Sequence, residues 1–131
     1  MAPDAVLEIH DLAVEFPAAA GGWRRVLRGV SLAVGASERV ALVGESGSGK
    51  SVVALAALGL VAAPGRITDG RVQVGGLDLA TATPDQLRRV RGRSVGLVFQ
   101  DPAGASNPVH TIGFQIAEAV RSHPAVARAE A

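Results

Sequence analysis

The sequence predicts an α/β fold in which an antiparallel β subdomain precedes a core of buried strands and helices. Three observations predict it. Leu7 and Ile9 alternate with Glu8 and His10, and the sets Leu12/Val14/Phe16 and Val30/Leu32/Val34 each share one face. Strict alternation is the mark of antiparallel strands with one face wet. Val40-Ala41-Leu42-Val43 is instead continuously apolar, as suits a strand buried on both faces. A glycine-rich stretch and a second apolar run, Val52 to Ala63, follow at once. A helix apolar on most sides belongs in an interior.

The elements follow in order. Ala5 to Phe16 reads as two short strands, with a bend near Asp11, and Pro17 to Gly22 as a small-residue loop. The helix after the glycine-rich turn starts near Lys50 and is closed by Pro64-Gly65. Val72 and Val74 alternate with Arg71 and Gln73; the Gly75-Gly76 turn then leads to Leu77 and Leu79. Thr83-Pro84-Asp85-Gln86 is a helix start: Thr83 caps, Pro84 takes the first helical position, and Gln86 closes a capping box. Gly92 predicts that this helix is short. Val95 to Phe99 is a second buried-type strand, and Gly104 to Pro108 a loop. Ile112, Ile116, Ala119 and His123 fall on one helical face, which Pro124 ends.

Composition bounds the function. A chain of 131 residues with 48% hydrophobic residues makes one modest core. Lys+Arg number 13 against 12 Asp+Glu, formally +1, so no nucleic-acid affinity is expected. The cluster Arg88, Arg89, Arg91 and Arg93 reads as a solvated helix end. Cysteine is absent, which removes disulfides, thiolate ligands and thiol nucleophiles. His10, His110 and His123 lack ligand spacing. The 12-residue run Val52 to Ala63 is too short to span a bilayer. With Asp4 and Glu8 so early, no signal peptide is expected, and the chain is expected to be soluble or the soluble part of something larger.

The chemistry concentrates in Gly44-Glu45-Ser46-Gly47-Ser48-Gly49-Lys50-Ser51, which fits the phosphate-loop pattern G-x-x-x-x-G-K-[ST]. Glycines let the backbone curl so that its N–H groups converge, and a helix N-terminus adds positive potential at the same point. The Lys50 ammonium then reaches the β- and γ-phosphates, and the Ser51 hydroxyl can ligate Mg²⁺. Of the 13 basic residues 12 are Arg; the one Lys stands where a compact ammonium is wanted. The bland alternative, a flexible Gly-Ser connector, explains neither the flanking strand and helix nor the lysine.

With Val98-Phe99-Gln100-Asp101-Pro102 some fifty residues on, this loop resembles the ATPase subunit of ATP-binding cassette (ABC) transporters. Ser106-Asn107-Pro108, Ile112-Gly113 and Gln115-Ile116-Ala117-Glu118-Ala119 are similar to the oligopeptide/dipeptide/nickel importer branch, although Ala105-Ser106 stands for its usual Ser-Leu and Phe114 for its common Glu. The resemblance implies a partial P-loop NTPase core behind the β subdomain, a truncated ABC ATPase fold. Residues 1–131 would be the N-terminal part of one nucleotide-binding domain. It implies that Gly44, Glu45, Ser46, Gly47, Ser48, Gly49, Lys50, Ser51 and Val52 bind ATP, that Ser51 and Gln100 serve Mg²⁺, and that Lys50 and Gln100 serve catalysis. Phe16 matches the aromatic that stacks on adenine; Trp23 is its rival. Implied partners are permease transmembrane subunits, a second ATPase subunit and, indirectly, an extracytoplasmic solute-binding protein, with the subunit peripheral on the cytoplasmic face of the cell membrane.

The departures are large. No L-S-G-G-Q-like signature, no apolar run ending in Asp-Glu and no switch histidine follows Gln100, and Asp101, preceded by Gln100 and followed by Pro102, is no Walker B aspartate. Without those groups little stabilises charge on a transferred phosphoryl, so this chain alone is expected to be inactive. Two other readings remain: a non-catalytic nucleotide-binding remnant, and a P-loop phosphotransferase of another family.

Overall fold

In the computed structural model, which describes residues 5–100 and 106–122, the chain forms two compact units, Met1–Ser94 and Val95–Ala131. The first is built on an antiparallel sheet of four strands, β1 (Ala5–Pro17), β2 (Trp23–Gly35), β3 (Arg66–Val74) and β4 (Leu77–Asp78), in the order β2-β1-β3-β4. Helix α1 (Lys50–Ala57) packs on it, and α2 (Pro84–Arg93) follows. Ile9, Leu12, Val14, Leu27, Val53, Ala56 and Val72 make the core.

β1 is one strand where the sequence reads as two. Its register slips on both edges between His10 and Ala13, and Asp11 has φ +45°. The bulge explains how Ile9 and Leu12, three residues apart, both reach the core at 1% and 0% exposure: an inserted residue shifts the two-residue period by one. The Asp11 amide donates to Ser31 Oγ (2.9 Å), and Ser31 Oγ donates to Asp11 Oδ1 (3.2 Å), which satisfies the kink. Opposite it, Gly70 (φ +80°) lies so close that an added Cβ would sit 2.3 Å from the His10 carbonyl oxygen.

The predicted cap of α2 is present in full. The Gln86 amide donates to Thr83 Oγ1 (3.3 Å) and the Thr83 amide to Gln86 Oε1 (2.8 Å), with Pro84 in the first turn. The helix passes Gly92 and ends at Arg93, since one helical glycine costs only about 1 kcal/mol.

Two expectations about the core are corrected. Val40-Ala41-Leu42-Val43 forms no strand, and Val40, Leu42 and Val43 are 50%, 48% and 88% exposed. Val95 to Phe99 has only an isolated bridge at Val95, with Val98 90% exposed. Neither run is part of the four-stranded sheet. A strand apolar on both faces is stable only between neighbouring strands and covering layers, and the described residues place none there. Among the described residues, the antiparallel subdomain is formed and neither run adds a strand to it.

In the second unit, α3 (Ile112–Arg121) is capped by Thr111, whose hydroxyl accepts from the Phe114 amide (3.3 Å). Gln115 fastens the preceding loop: its Oε1 accepts from the Asn107 amide (2.8 Å) and its Nε2 donates to the Asn107 and His110 carbonyls (3.0 Å each). The predicted apolar face exists but is unburied, with Ile112 and Ile116 exposed. His123 and Asp101 lie outside the described residues.

Candidate functional site: the glycine-rich loop

The loop is held from beneath by β2. Gly49 is buried, and an added Cβ would stand 2.7 Å from Leu27 Cδ2 and 3.5 Å from the Val26 carbonyl oxygen. Its φ of +99° turns the chain into α1 without any side-chain cap. The Val53 amide starts the helical ladder on the Gly49 carbonyl (3.0 Å), so the amides of Lys50, Ser51 and Val52 have no partner within the helix. Earlier in the loop Gly47 has φ +79°, and the Ser48 amide closes a turn on the Glu45 carbonyl (3.2 Å).

Lys50 folds back over this turn. Its Nζ donates to the Gly44 carbonyl (2.8 Å), the Glu45 carbonyl (2.7 Å) and Ser48 Oγ (3.4 Å). An ammonium fixed at the mouth of a loop beside the amides of a helix start without a side-chain cap can hold a polyanion through both charge and directed donors. Glu45, Ser46, Gly47, Ser48 and Ser51 are exposed, Lys50 and Val52 half-buried. The Gly44–Val52 set is thus one local constellation. Gln100, exposed, belongs to the second unit.

The sheet register separates the two aromatic candidates. Directly paired residues share a face, and Val14, paired with Leu27, faces the core and the loop. Phe16, two residues on, lies on that face, half-buried against the core, its ring edge against Gly65. Trp23 lies on the opposite face, where the Arg66 guanidinium stacks 3.7 Å from its ring centroid. On that face Glu15 accepts from Arg25 Nε and Arg66 Nη2, both at 3.1 Å. A bulge at Val26 allows this: Val14 and Glu15 pair with Leu27 and Arg25, so Val26 is skipped.

The two guanidiniums, Arg66 foremost, hold the Glu15 carboxyl below its ordinary value, outweighing the desolvation that raises it. A lowered folded-state value stabilises the fold above the ordinary carboxylate range, and the gain is lost as pH falls through the folded value. Glu15→Gln is therefore expected to reduce stability at neutral pH and to flatten its fall in acid, read by urea unfolding across the pH range. Unchanged pH dependence would remove Glu15 from the account. Sequence reading missed this cluster because a cross-strand trio has no signal along the chain.

Comparison with known proteins gives the class. A family model described as ABC transporter matches residues 27–128, and the chain belongs to the ABC transporter family. Its antiparallel sheet is the N-terminal region of such an ATPase domain, and the family binds nucleotide.

Similar curated proteins include ATP-binding proteins named for peptide transport. The dipeptide transport ATP-binding protein DppD of Escherichia coli is 41% identical over 119 residues, covering 91% of this chain and 36% of that protein. The oligopeptide transport ATP-binding protein OppD of Mycobacterium tuberculosis is 44% identical over 118 residues, 90% of this chain and 19% of that protein. A probable peptide ABC transporter ATP-binding protein of Sinorhizobium fredii is 42% identical over 129 residues, 98% and 38% respectively. The chain thus spans between 19% and 38% of their length. Among the described residues no helix is long and apolar enough to cross a membrane.

Proposed function

We propose that this chain supplies the nucleotide-gripping part of the ATP-binding subunit of a peptide importer, and that residues 1–131 are the N-terminal part of one nucleotide-binding domain. The observation that carries the reading is the Gly44–Ser51 loop, with its ammonium held at the mouth and its helix N-terminus without a side-chain cap. Similarity to proteins named for dipeptide and oligopeptide transport favours peptides as the cargo. In the working assembly, a second ATPase subunit and permease subunits would join it at the cytoplasmic face of the membrane, fed by an extracytoplasmic solute-binding protein.

Each residue has a task in this reading. The amides of Gly47, Gly49, Lys50, Ser51 and Val52 hold the phosphate oxygens, and Lys50 neutralises the charge on the β- and γ-phosphates. The exposed Ser51 hydroxyl is a hard oxygen donor of the kind Mg²⁺ takes. When bound, the ion would neutralise charge on the phosphate oxygens. Gln100 can both accept and donate through its amide, the chemistry needed to ligate Mg²⁺ or orient a water.

Phe16 is the stacking platform in this reading because it shares the loop's face of the sheet. Phe16→Leu is expected to weaken ATP by roughly tenfold, the worth of about 1–2 kcal/mol of base stacking, and to leave inorganic triphosphate unaffected. Trp23→Leu is expected to change neither. Competition against a fluorescent nucleotide reads both; an ATP loss confined to the Trp23 variant would reverse the assignment. The importer reading is tested by ATP-dependent uptake of di- and oligopeptides into vesicles holding the assembled transporter. Uptake insensitive to Lys50→Ala would sink it.

A further inference from the structure

Helix α1 carries the phosphate loop at one end; α2 closes the other. Gly59 (φ +62°) ends α1 in a two-bond cap, its amide donating to the Ala56 carbonyl (2.9 Å) and the Leu60 amide to the Leu55 carbonyl (2.8 Å). The carbonyls of Leu58 and Gly59 are then both taken by one side chain: Arg91 Nε donates to Leu58 (2.8 Å) and Nη2 to Gly59 (2.6 Å). The last turn of α1 has no basic residue of its own, so Arg91 supplies from another helix the cation that a C-terminus favours. A Cβ on Gly59 would lie 3.3 Å from Arg91 Nη2 and 3.5 Å from Leu87 Cδ2. Arg88, by contrast, is exposed and pairs with Asp85 on its own helix.

We propose that Arg91 is a positioning residue for the phosphate loop. Eight residues are too few for a helix to be stable by itself, and α1 buries only small and medium side chains, Val53, Ala56 and Ala57. Its orientation therefore depends on its ends: Gly49 seated on Leu27 and Val26, and the C-terminal carbonyls held by the Arg91 fork. Released at the far end, the helix pivots on Gly49 and carries the amides of Lys50, Ser51 and Val52 off their common target. Misplacement of about 1 Å costs such a site up to about a hundredfold. The inference deepens the nucleotide-binding reading and rests on it.

The test compares MgATP binding and amide hydrogen exchange in the wild-type chain and in Lys50→Ala, Arg91→Ala, Arg91→Lys and Arg88→Ala. Expected are about tenfold weaker binding for Arg91→Ala, an intermediate loss for Arg91→Lys, whose ammonium lacks the two-pronged fork, and no change for Arg88→Ala. The amides of α1, Gly59 and Leu60 exchange faster in Arg91→Ala, while those of Ile9, Leu12 and Val14 keep their protection. Wild-type affinity in Arg91→Ala, with binding lost in Lys50→Ala, overturns the inference and leaves the nucleotide reading standing. Binding unaffected by Lys50→Ala overturns the nucleotide reading, and with it the positioning role. Should Arg91→Ala fail to fold, Arg91→Lys decides: an intermediate affinity supports the role, wild-type affinity overturns it.

Discussion

Lys50→Ala is expected to weaken MgATP binding by about a hundredfold or more while leaving the fold intact, and Lys50→Arg to rescue little of it. Loss of one preorganised donor to a phosphate site typically costs about 3–4 kcal/mol. The side chain is half-buried and outside the buried core cluster, and its described hydrogen bonds go to its own loop, so the core does not depend on it. Arginine retains the charge but not the shape. A planar fork cannot sit between the Gly44 and Glu45 carbonyls as a rotating ammonium does, at 2.8 and 2.7 Å. A chain with 12 arginines and one lysine makes this contrast informative. Calorimetric titration of both variants, with circular dichroism as the check on folding, reads the outcome. Full affinity in Lys50→Arg would mean that charge alone is at work.

The largest effect on the fold is expected at Gly70. Gly70→Ala places a Cβ 2.3 Å from the His10 carbonyl oxygen and 2.5 Å from that of Asp11, at φ +80°. Both obstacles are backbone, so no side-chain rotation relieves them. The left-handed conformation costs about 1–2 kcal/mol and overpacking about 1–3 kcal/mol more. Together they threaten much of the stability of a small domain, about 5–15 kcal/mol. The β1–β3 pairing next to the bulge is expected to open first. Gly21→Ala is the control: φ is +89°, but nothing lies within 4 Å, so only the backbone cost applies. Urea unfolding of the two variants separates the terms; equal losses would show that the close approach at Gly70 carries no weight.

Locally encoded features were legible. The Thr83–Gln86 cap, the Gly75-Gly76 hairpin and the glycine-rich turn into α1 each rest on residues within eight positions of one another, and each stands where the sequence places it. The alternation of Leu7, Ile9, Val30, Leu32, Val72 and Val74 correctly marks antiparallel strands. Legibility failed where structure depends on distant partners. Asp11 reads as a break between strands because a bulge and a bend leave the same trace in one chain; only the register with β2 and β3 tells them apart. Val40–Val43 and Val95–Phe99 are apolar enough for a buried parallel strand, yet apolarity forms no strand without neighbours. Arg91 read as one of four solvated arginines. Nothing in the sequence says that its fork meets the end of α1, 33 and 32 positions back.

The most direct measurement is of the loop's own amides. Titration of the isotope-labelled chain with magnesium-complexed ATP is expected to shift the Gly47, Gly49, Lys50, Ser51 and Val52 amide resonances saturably, with inorganic triphosphate moving the same set and adenosine leaving it in place. Resonances that stay still under ATP, or that move equally in Lys50→Ala, would contradict the account.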